Sequence, residues 1–281
     1  MIGGKKPLGE RNGMVAHPGV DKARTEVTAL MLMEAHDIGE QFLPFAKERG
    51  INDVDAAYRV QDAYARRLMA AGNTETGGFK IGLTTKKMQE MCGIDSPVSG
   101  YVAANRIFTA PATVDAMEHT HLGLEFEIAV KLGHDFAFRA VPYSQEEVAR
   151  DLLVAPGVEL VDDRNCDYAT LEALSLIADN SWNAGIVVGA WTEPPADLGA
   201  VEGIVQVSGQ EIGRGFGRDA LGHPYVPLTW LANFRARTER PLKKGDIVMT
   251  GSLIRTNFPT EACKYRYELA GLGVVEVEVQ F

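Results

Sequence analysis

Leu122-Gly-Leu-Glu-Phe-Glu-Ile-Ala-Val-Lys131 alternates with period two. In an extended strand Leu124, Phe126, Ile128 and Val130 share one face, and Glu125, Glu127 and Ala129 share the other. Two carboxylates therefore point the same way, one repeat apart, from an otherwise apolar strand. Like charges at that spacing repel each other and resist burial. An edge strand with its polar face in water would relieve them. So would a hard divalent cation with oxygen ligands. The rest of the chain decides between the two.

The 281 residues suffice for one large domain, or one domain with a smaller helical addition. Hydrophobic residues make up 46% and charged residues 23%, an ordinary globular composition. The net charge of −10 argues against a nucleic-acid or anionic-membrane surface. No apolar run reaches transmembrane length. Met1–Gly13 carries Lys5 and Lys6 with no apolar segment behind them, so it does not read as a secretory signal. Cys92, Cys166 and Cys263 have neither zinc spacing nor a disulfide framework, which points to a reducing, cytoplasmic location.

Residues 1–22 are rich in Gly, Lys and Pro without periodicity and read as a loose leader. Residues 23–76 form a helical segment, with helices expected over Thr25–Glu48 and Asp53–Ala71. In the second, Ala57, Val60, Tyr64 and Leu68 recur at helical spacing, Asn52 can cap the start and Gly72 can end it. Residues 77–281 read as a strand-rich domain. Gly77–Leu83 is a short strand flanked by glycines. Thr84 or Thr85 caps a short helix to Cys92, closed by Gly93, and residues 93–100 are turn chemistry. The capping box Ser144-Gln-Glu-Glu147 opens a helix to about Ala155, where Pro156 stops it. Val158–Asp162 is a strand with acidic ends, Thr170–Ile177 a helix, and residues 179–185 a polar loop into the strand Ile186–Val188. Short strands follow at Gly203–Val207, Glu211–Gly213, Asp246–Thr250 and Val274–Phe281, around a helix over Pro227–Arg235. The connections are too irregular for a parallel βαβ array, so the expectation is an α+β fold with a mixed, largely antiparallel sheet system.

Several motifs carry no chemistry on their own. Gly213-Arg-Gly-Phe-Gly217 lacks the spacing and the following helix of a dinucleotide loop and reads as a flexible surface loop. The cysteines have no local catalytic signature. His119 and His121, just before the acidic strand, are candidates for a general base or a metal ligand, although solvated loop histidines are the commoner case. Serine-hydrolase and zinc-protease motifs are absent. Lys80 stands apart, because it lies between Phe79 and Ile81 on a short strand. Its ammonium is either snorkelling at a strand end or partly desolvated beside the carboxylates, where it could hold a substrate carboxylate or move a proton at carbon. Glu159 faces away from Val158 and Leu160 and can meet Glu125 and Glu127. Three carboxylates around one cation suit Mg²⁺ or Mn²⁺ better than Zn²⁺.

The motifs also come in a telling order. Gly78-Phe-Lys-Ile-Gly-Leu-Thr84, Glu125-Phe-Glu127, Val158-Glu-Leu-Val-Asp-Asp-Arg164 and Asp179-Asn-Ser-Trp-Asn-Ala-Gly185 are followed by Leu221-Gly-His-Pro224, Trp230-Leu-Ala-Asn233 and Lys243-Lys-Gly-Asp-Ile-Val-Met-Thr-Gly-Ser252. Over about residues 25–281 the chain resembles the hydratase/decarboxylase branch of the fumarylacetoacetate hydrolase superfamily, with 2-keto-4-pentenoate hydratases among the nearest groups. The resemblance implies a β-roll core preceded by helices. It implies a homo-oligomer, one that can associate with a homologous decarboxylase or hydratase. It implies Mg²⁺ or Mn²⁺ held by Glu125, Glu127 and Glu159, Lys80 as the active-site lysine, and Ser252 near the substrate carboxylate. The implied activity is a hydratase acting on a 2-hydroxy-2,4-dienoate in aromatic-ring degradation.

One position departs from the resemblance. Hydratases commonly place an Asp after the short helix, and here the residue is Val98 in Pro97-Val-Ser-Gly100. The related 4-oxalocrotonate decarboxylases also carry an apolar residue there, so decarboxylation of a 2-keto-3-enedioate is the first alternative. An acylpyruvate C–C hydrolase using His119 or His121 is a more distant one. A non-enzymatic partner subunit is disfavoured by the intact set of Lys80, Glu125, Glu127 and Glu159, since a scaffold need not keep buried charges.

Overall fold

The computed structural model describes residues 22–281, so the leader expected over residues 1–22 lies, except for Lys22, outside the described residues. The helices are α1 (Lys22–Asp37), α2 (Val54–Ala71), α3 (Lys86–Met91), α4 (Gln145–Val148), α5 (Ala173–Ala178) and α6 (Tyr225–Arg235). The strands are β1 (Thr76–Gly82), β2 (Val98–Ala103), β3 (Ile107–Thr109), β4 (Ala112–Asp115), β5 (Leu122–Lys131), β6 (Leu153–Asp162) and β7 (Asn183–Val188). They continue with β8 (Glu202–Val207), β9 (Gln210–Phe216), β10 (Ile247–Met249), β11 (Ile254–Asn257), β12 (Cys263–Leu269) and β13 (Gly273–Gln280).

The strands form two sheets. The larger runs β2-β1-β10-β5-β6-β7-β3, with β11 added on β5, and the smaller runs β4-β13-β12-β8-β9. Among the described residues only the β1–β10, β3–β7 and β4–β13 pairs are parallel, so the system is mixed and largely antiparallel, as the strand pattern predicts. The apolar face of β5 supplies Leu124, Phe126, Ile128 and Val130 to a core shared with the second sheet and α6. There the Phe126 ring lies 5.5 Å from Tyr267 and 5.9 Å from Tyr265. A second core joins α1, α2 and α5 with Val98, Val161 and Trp182. The acidic face of β5 thus looks away from the sheet-on-sheet core.

Buried Arg235 fastens α6 to this frame. It donates to the Tyr101 hydroxyl, Ser99 Oγ and Gln61 Oε1, and it lies 4.5 Å from the Phe79 ring centre. One fully buried cation therefore ties α2, β1, β2 and α6 together, and its loss would leave those acceptors uncompensated.

Several local expectations are corrected. The first helix ends at Asp37 rather than Glu48, because Gly39 turns at φ +65° and the chain then sends Phe42 and Phe45 into the helical core. The cap of α2 is Asp53, which accepts from Ala56 N, rather than Asn52. Residues 93–100 are not all turn, since β2 begins at Val98. The capping box at Ser144 is present, but α4 is one turn long and Asp151 breaks the backbone at φ +55°. Pro156 ends no helix. It lies inside β6, and its carbonyl accepts from Gly189 N, past the last residue of β7, where no strand asks for its missing N–H. Gly213–Gly217 is not a flexible loop either. It is largely the strand β9, and a Cβ on Gly215 would overlap the Leu253 carbonyl, so glycine permits close packing there.

Candidate active site

β5 and β6 pair antiparallel with Glu125 directly across from Glu159, and Glu127 one repeat further along β5. One carboxylate oxygen from each of the three lies within 4.8 Å of those of the other two. Glu127 and Glu159 are fully buried and Glu125 is half-buried. Each carboxylate is steered by one neighbour that the sequence alone does not reveal. Thr256 Oγ1 donates to Glu125 Oε1 at 2.8 Å. Gly251 N donates to Glu127 Oε2 at 2.7 Å. Asn183 Nδ2 donates to Glu159 Oε1 at 3.0 Å. Thr256 comes from β11 and Asn183 from the start of β7, so distant segments converge on one acidic face. Gly251 has φ +110°, and a Cβ there would overlap the Thr84 side chain, which explains the glycine.

Lys80 reaches the same cluster from β1. Its Nζ is 3.2 Å from Glu159 Oε1 and the residue is buried. Burial works against its charge, but Glu159, Glu125 and Glu127 outweigh that and raise its pKa. Burial, followed by repulsion from Glu159 and Glu125, pushes Glu127 well above the usual carboxylate range. Burial likewise pushes Glu159 up to about 7, against the pull of Lys80. One ammonium does not balance three carboxylates. Glu127 Oε1 and Glu159 Oε2 are buried and accept no hydrogen bond from the described residues. Clustered carboxylates with buried oxygens that lack a donor are what a hard cation with oxygen ligands requires.

The wall beside Lys80 is shaped by β2 and the segment before β7. Gly100 pairs with Lys80, and a Cβ on it would overlap the Asn180 carbonyl and press on the lysine stem. Asn180 clamps β2 by accepting from Tyr101 N and donating to Tyr101 O. Asn180, Ser181 and Trp182 all adopt left-handed backbone, with φ of 51°, 48° and 62°. Such residues cost of order 1–3 kcal/mol each and persist only where the surroundings hold them, commonly at ligand sites.

A cavity of about 330 Å³ opens on this cluster. Lys80, Glu125, Ser252 and Thr256 line it, as do apolar side chains from the helical core. Ser252 Oγ donates to Ile254 O at 2.6 Å and accepts from Phe126 N at 3.2 Å, so the serine fastens the bend between β10 and β11 at the cavity wall. The two histidines lie elsewhere. His119 Nδ1 is bonded to the Asp115 carbonyl, and His121 Nδ1 to Asp163 Oδ1 at 2.7 Å, with its ring stacked on Phe258. Neither belongs to the carboxylate cluster or lines this cavity. Cys92 and Cys166 are buried, and burial pushes both thiols up, which suits inert side chains. No helix among the described residues is long and apolar enough to cross a membrane.

The chain resembles known proteins over most of its length. The chain is 31% identical over 253 residues to 2-keto-4-pentenoate hydratase 1 of Dechloromonas aromatica (strain RCB), covering 89% of this chain and 95% of that protein. It is 28% identical over 262 residues to 2-hydroxyhexa-2,4-dienoate hydratase of Comamonas testosteroni, covering 92% and 98%. Its fold superposes with a TM-score of 0.85 on 4-oxalocrotonate decarboxylase from Pseudomonas putida G7, complexed with magnesium and adipate. That match has 22% identity and covers 94% of this chain and all of the other. Residues 60–280 match the fumarylacetoacetate (FAA) hydrolase C-terminal family, and the chain belongs to that family.

Proposed function

We propose that the protein is a divalent-metal-dependent hydratase. It adds water to a 2-hydroxy-2,4-dienoate and yields a 4-hydroxy-2-keto acid, as a step in the meta-cleavage degradation of aromatic compounds. The observation that carries this reading is the convergence of Glu125, Glu127 and Glu159, with two orphaned oxygens, beside buried Lys80 in a cavity. Relatives named as hydratases, aligned over most of the chain, support it.

Glu125, Glu127 and Glu159 would hold the ion, Mg²⁺ or Mn²⁺, with Thr256, Gly251 and Asn183 fixing their orientation. When bound, the ion supplies Lewis-acid stabilisation of negative charge at an enolic oxygen. Lys80 binds the substrate's anionic end and carries the proton that converts the dienol to an α,β-unsaturated ketone. Ser252, on the cavity wall, keeps the β10–β11 bend against the substrate carboxylate. The proton is delivered to C5, water then adds across C3=C4 with its oxygen on C4, and the apolar lining keeps bulk water from the rest of the substrate. The active form is read as a homo-oligomer, with association to a homologous decarboxylase or hydratase as a further expectation.

A specific observation favours a second reading. Val98 Cγ2 and Lys80 Nζ each lie 3.3 Å from the point where a Cβ on Gly82 would sit. On the Gly82 side of the lysine, Val98 thus supplies a methyl group and no carboxyl. That environment also suits loss of CO₂ from a 2-keto-3-enedioate. The test is purified protein with Mg²⁺ and 2-hydroxypenta-2,4-dienoate. Loss of dienol absorbance with a product heavier by one water supports the hydratase. No reaction there, with CO₂ release from 2-oxohex-3-enedioate, supports the decarboxylase and overturns the first reading.

A further inference from the structure

The cavity has a polar end and a largely apolar wall. Beyond the polar end at Lys80, Glu125 and Thr256, the lining includes Leu83, Met88, Leu171, Leu176 and Trp182, with Val98 beside the lysine. All of these belong to the helical-layer core or pack against it. They are backed by further packing rather than by solvent. Phe42 meets Trp182 edge-on at 5.1 Å, and the backbone at Trp182 is held left-handed. The wall therefore cannot easily turn a polar group towards a ligand.

We infer that the substrate carries an uncharged apolar group, alkyl or aryl, at the end remote from its 2-keto acid function, and that a second carboxylate there is rejected. The inference rests on the reading of the cluster as a 2-keto acid site and deepens it. An apolar substituent would replace water along this wall. A carboxylate would lose its hydration there and gain no partner. Two of the lining hydroxyls already spend their O–H within the protein: Tyr168 donates to Asp163 Oδ2 at 2.9 Å and Ser252 to Ile254 O at 2.6 Å. At the mouth, Arg255 and Asp219 are both exposed and opposite in sign, so the rim offers no net positive charge to a distal anion.

Binding of unreactive 2-keto acids tests this without turnover. Calorimetry on the Mg²⁺-loaded protein would compare 2-oxopentanoate, 2-oxooctanoate and 2-oxohexanedioate. The expected order is 2-oxooctanoate tightest, by roughly tenfold or more over 2-oxopentanoate, with the diacid weakest. The half-exposed Met88 on short α3 provides a variant that spares the core. Met88→Arg should weaken 2-oxooctanoate and strengthen the diacid. Tightest binding by the diacid in the unaltered protein, particularly if Arg255→Ala removes it, would overturn the inference. So would equal binding of all three, or binding of none. A parallel assay on the matching dienols separates the two readings. If the binding order holds but no dienol takes up water, the hydratase reading fails and the selection of an apolar tail stands.

Discussion

Glu125 and Glu159 face each other across the β5–β6 ladder, and Lys80 Nζ sits 3.2 Å from Glu159. Like charges directly opposed in a sheet are destabilising. Here Glu159 and Glu127 are also fully buried and Glu125 is half-buried, and the lysine compensates only part of the charge. The sheet tolerates the arrangement because both strands bury apolar side chains on their other face. Stability lost at the acidic face is the expected cost of a preorganised cation site.

Divalent metal should therefore stabilise the fold. Mg²⁺ or Mn²⁺ at a hundredfold excess over Kd should contribute about 2.7 kcal/mol, seen as a Tm rise of several degrees that EDTA reverses. Glu127→Gln should raise the Tm of the metal-free protein, because it removes a buried carboxylate whose ionisation is disfavoured. The same change should abolish the metal-dependent rise. A metal-free Tm lower than that of the unaltered protein would contradict this account.

Asn183 and Thr256 steer carboxylates without joining the cluster. Asn183→Leu and Thr256→Val should each weaken metal binding about 10- to 100-fold, read by titration calorimetry. Turnover at saturating metal should be largely recovered. A loss of turnover that excess metal does not restore would place these residues in the reaction itself.

Removing the lysine should separate binding from chemistry. Lys80→Ala should lower kcat at least about a hundredfold and leave metal-dependent thermal stabilisation in place. Near-full turnover in this variant would rule out Lys80 as the proton carrier.

Acid stability should depend on a different buried carboxylate. Burial disfavours the Asp179 charge, but His36 Nε2 at 2.8 Å and Arg164 Nη2 at 2.6 Å more than offset it and lower its pKa from the ordinary 3.8. A carboxyl depressed in the folded state binds its proton more readily when unfolded. Its contribution is thus full above pH 3.8 and is lost as pH falls through the folded value. Asp179→Asn should destabilise the protein by about 3–5 kcal/mol at neutral pH by stranding Arg164. It should also flatten the acid limb of the stability curve, measured by urea unfolding against pH.

Legibility in the sequence followed the range of the interactions involved. Strand β5 was readable to the residue, because period-two alternation is a local property, and its two-sidedness set Glu125 and Glu127 on the face away from the core. Glu159 and Lys80 were readable for the same reason, each being a charge out of pattern on a short apolar strand. The capping box at Ser144 was readable, but the length of its helix was not. Asp151 and the pairing of Leu153–Asp162 with β5 overrode local helix preference. Gly213–Gly217 looked like a loop because the carbonyl that requires glycine belongs to Leu253, far along the chain. Residues 38–45 looked helical because the partners that draw out Phe42 lie at Arg164 and Trp182.

The sequence by itself determined the strand-rich α+β class and the acidic face of β5, and it singled out Lys80 and Glu159 as charges out of pattern. Alternation, capping and charge out of pattern act within a few residues and can be read without knowing the fold. Only the tertiary structure decided that one oxygen from each carboxylate comes within 4.8 Å of the others, that Thr256, Gly251 and Asn183 aim the carboxylates, that His119 and His121 stay apart, and that the cavity continues into a largely apolar wall. Those are contacts between segments distant in the chain, and their register depends on how two sheets and a helical layer pack together.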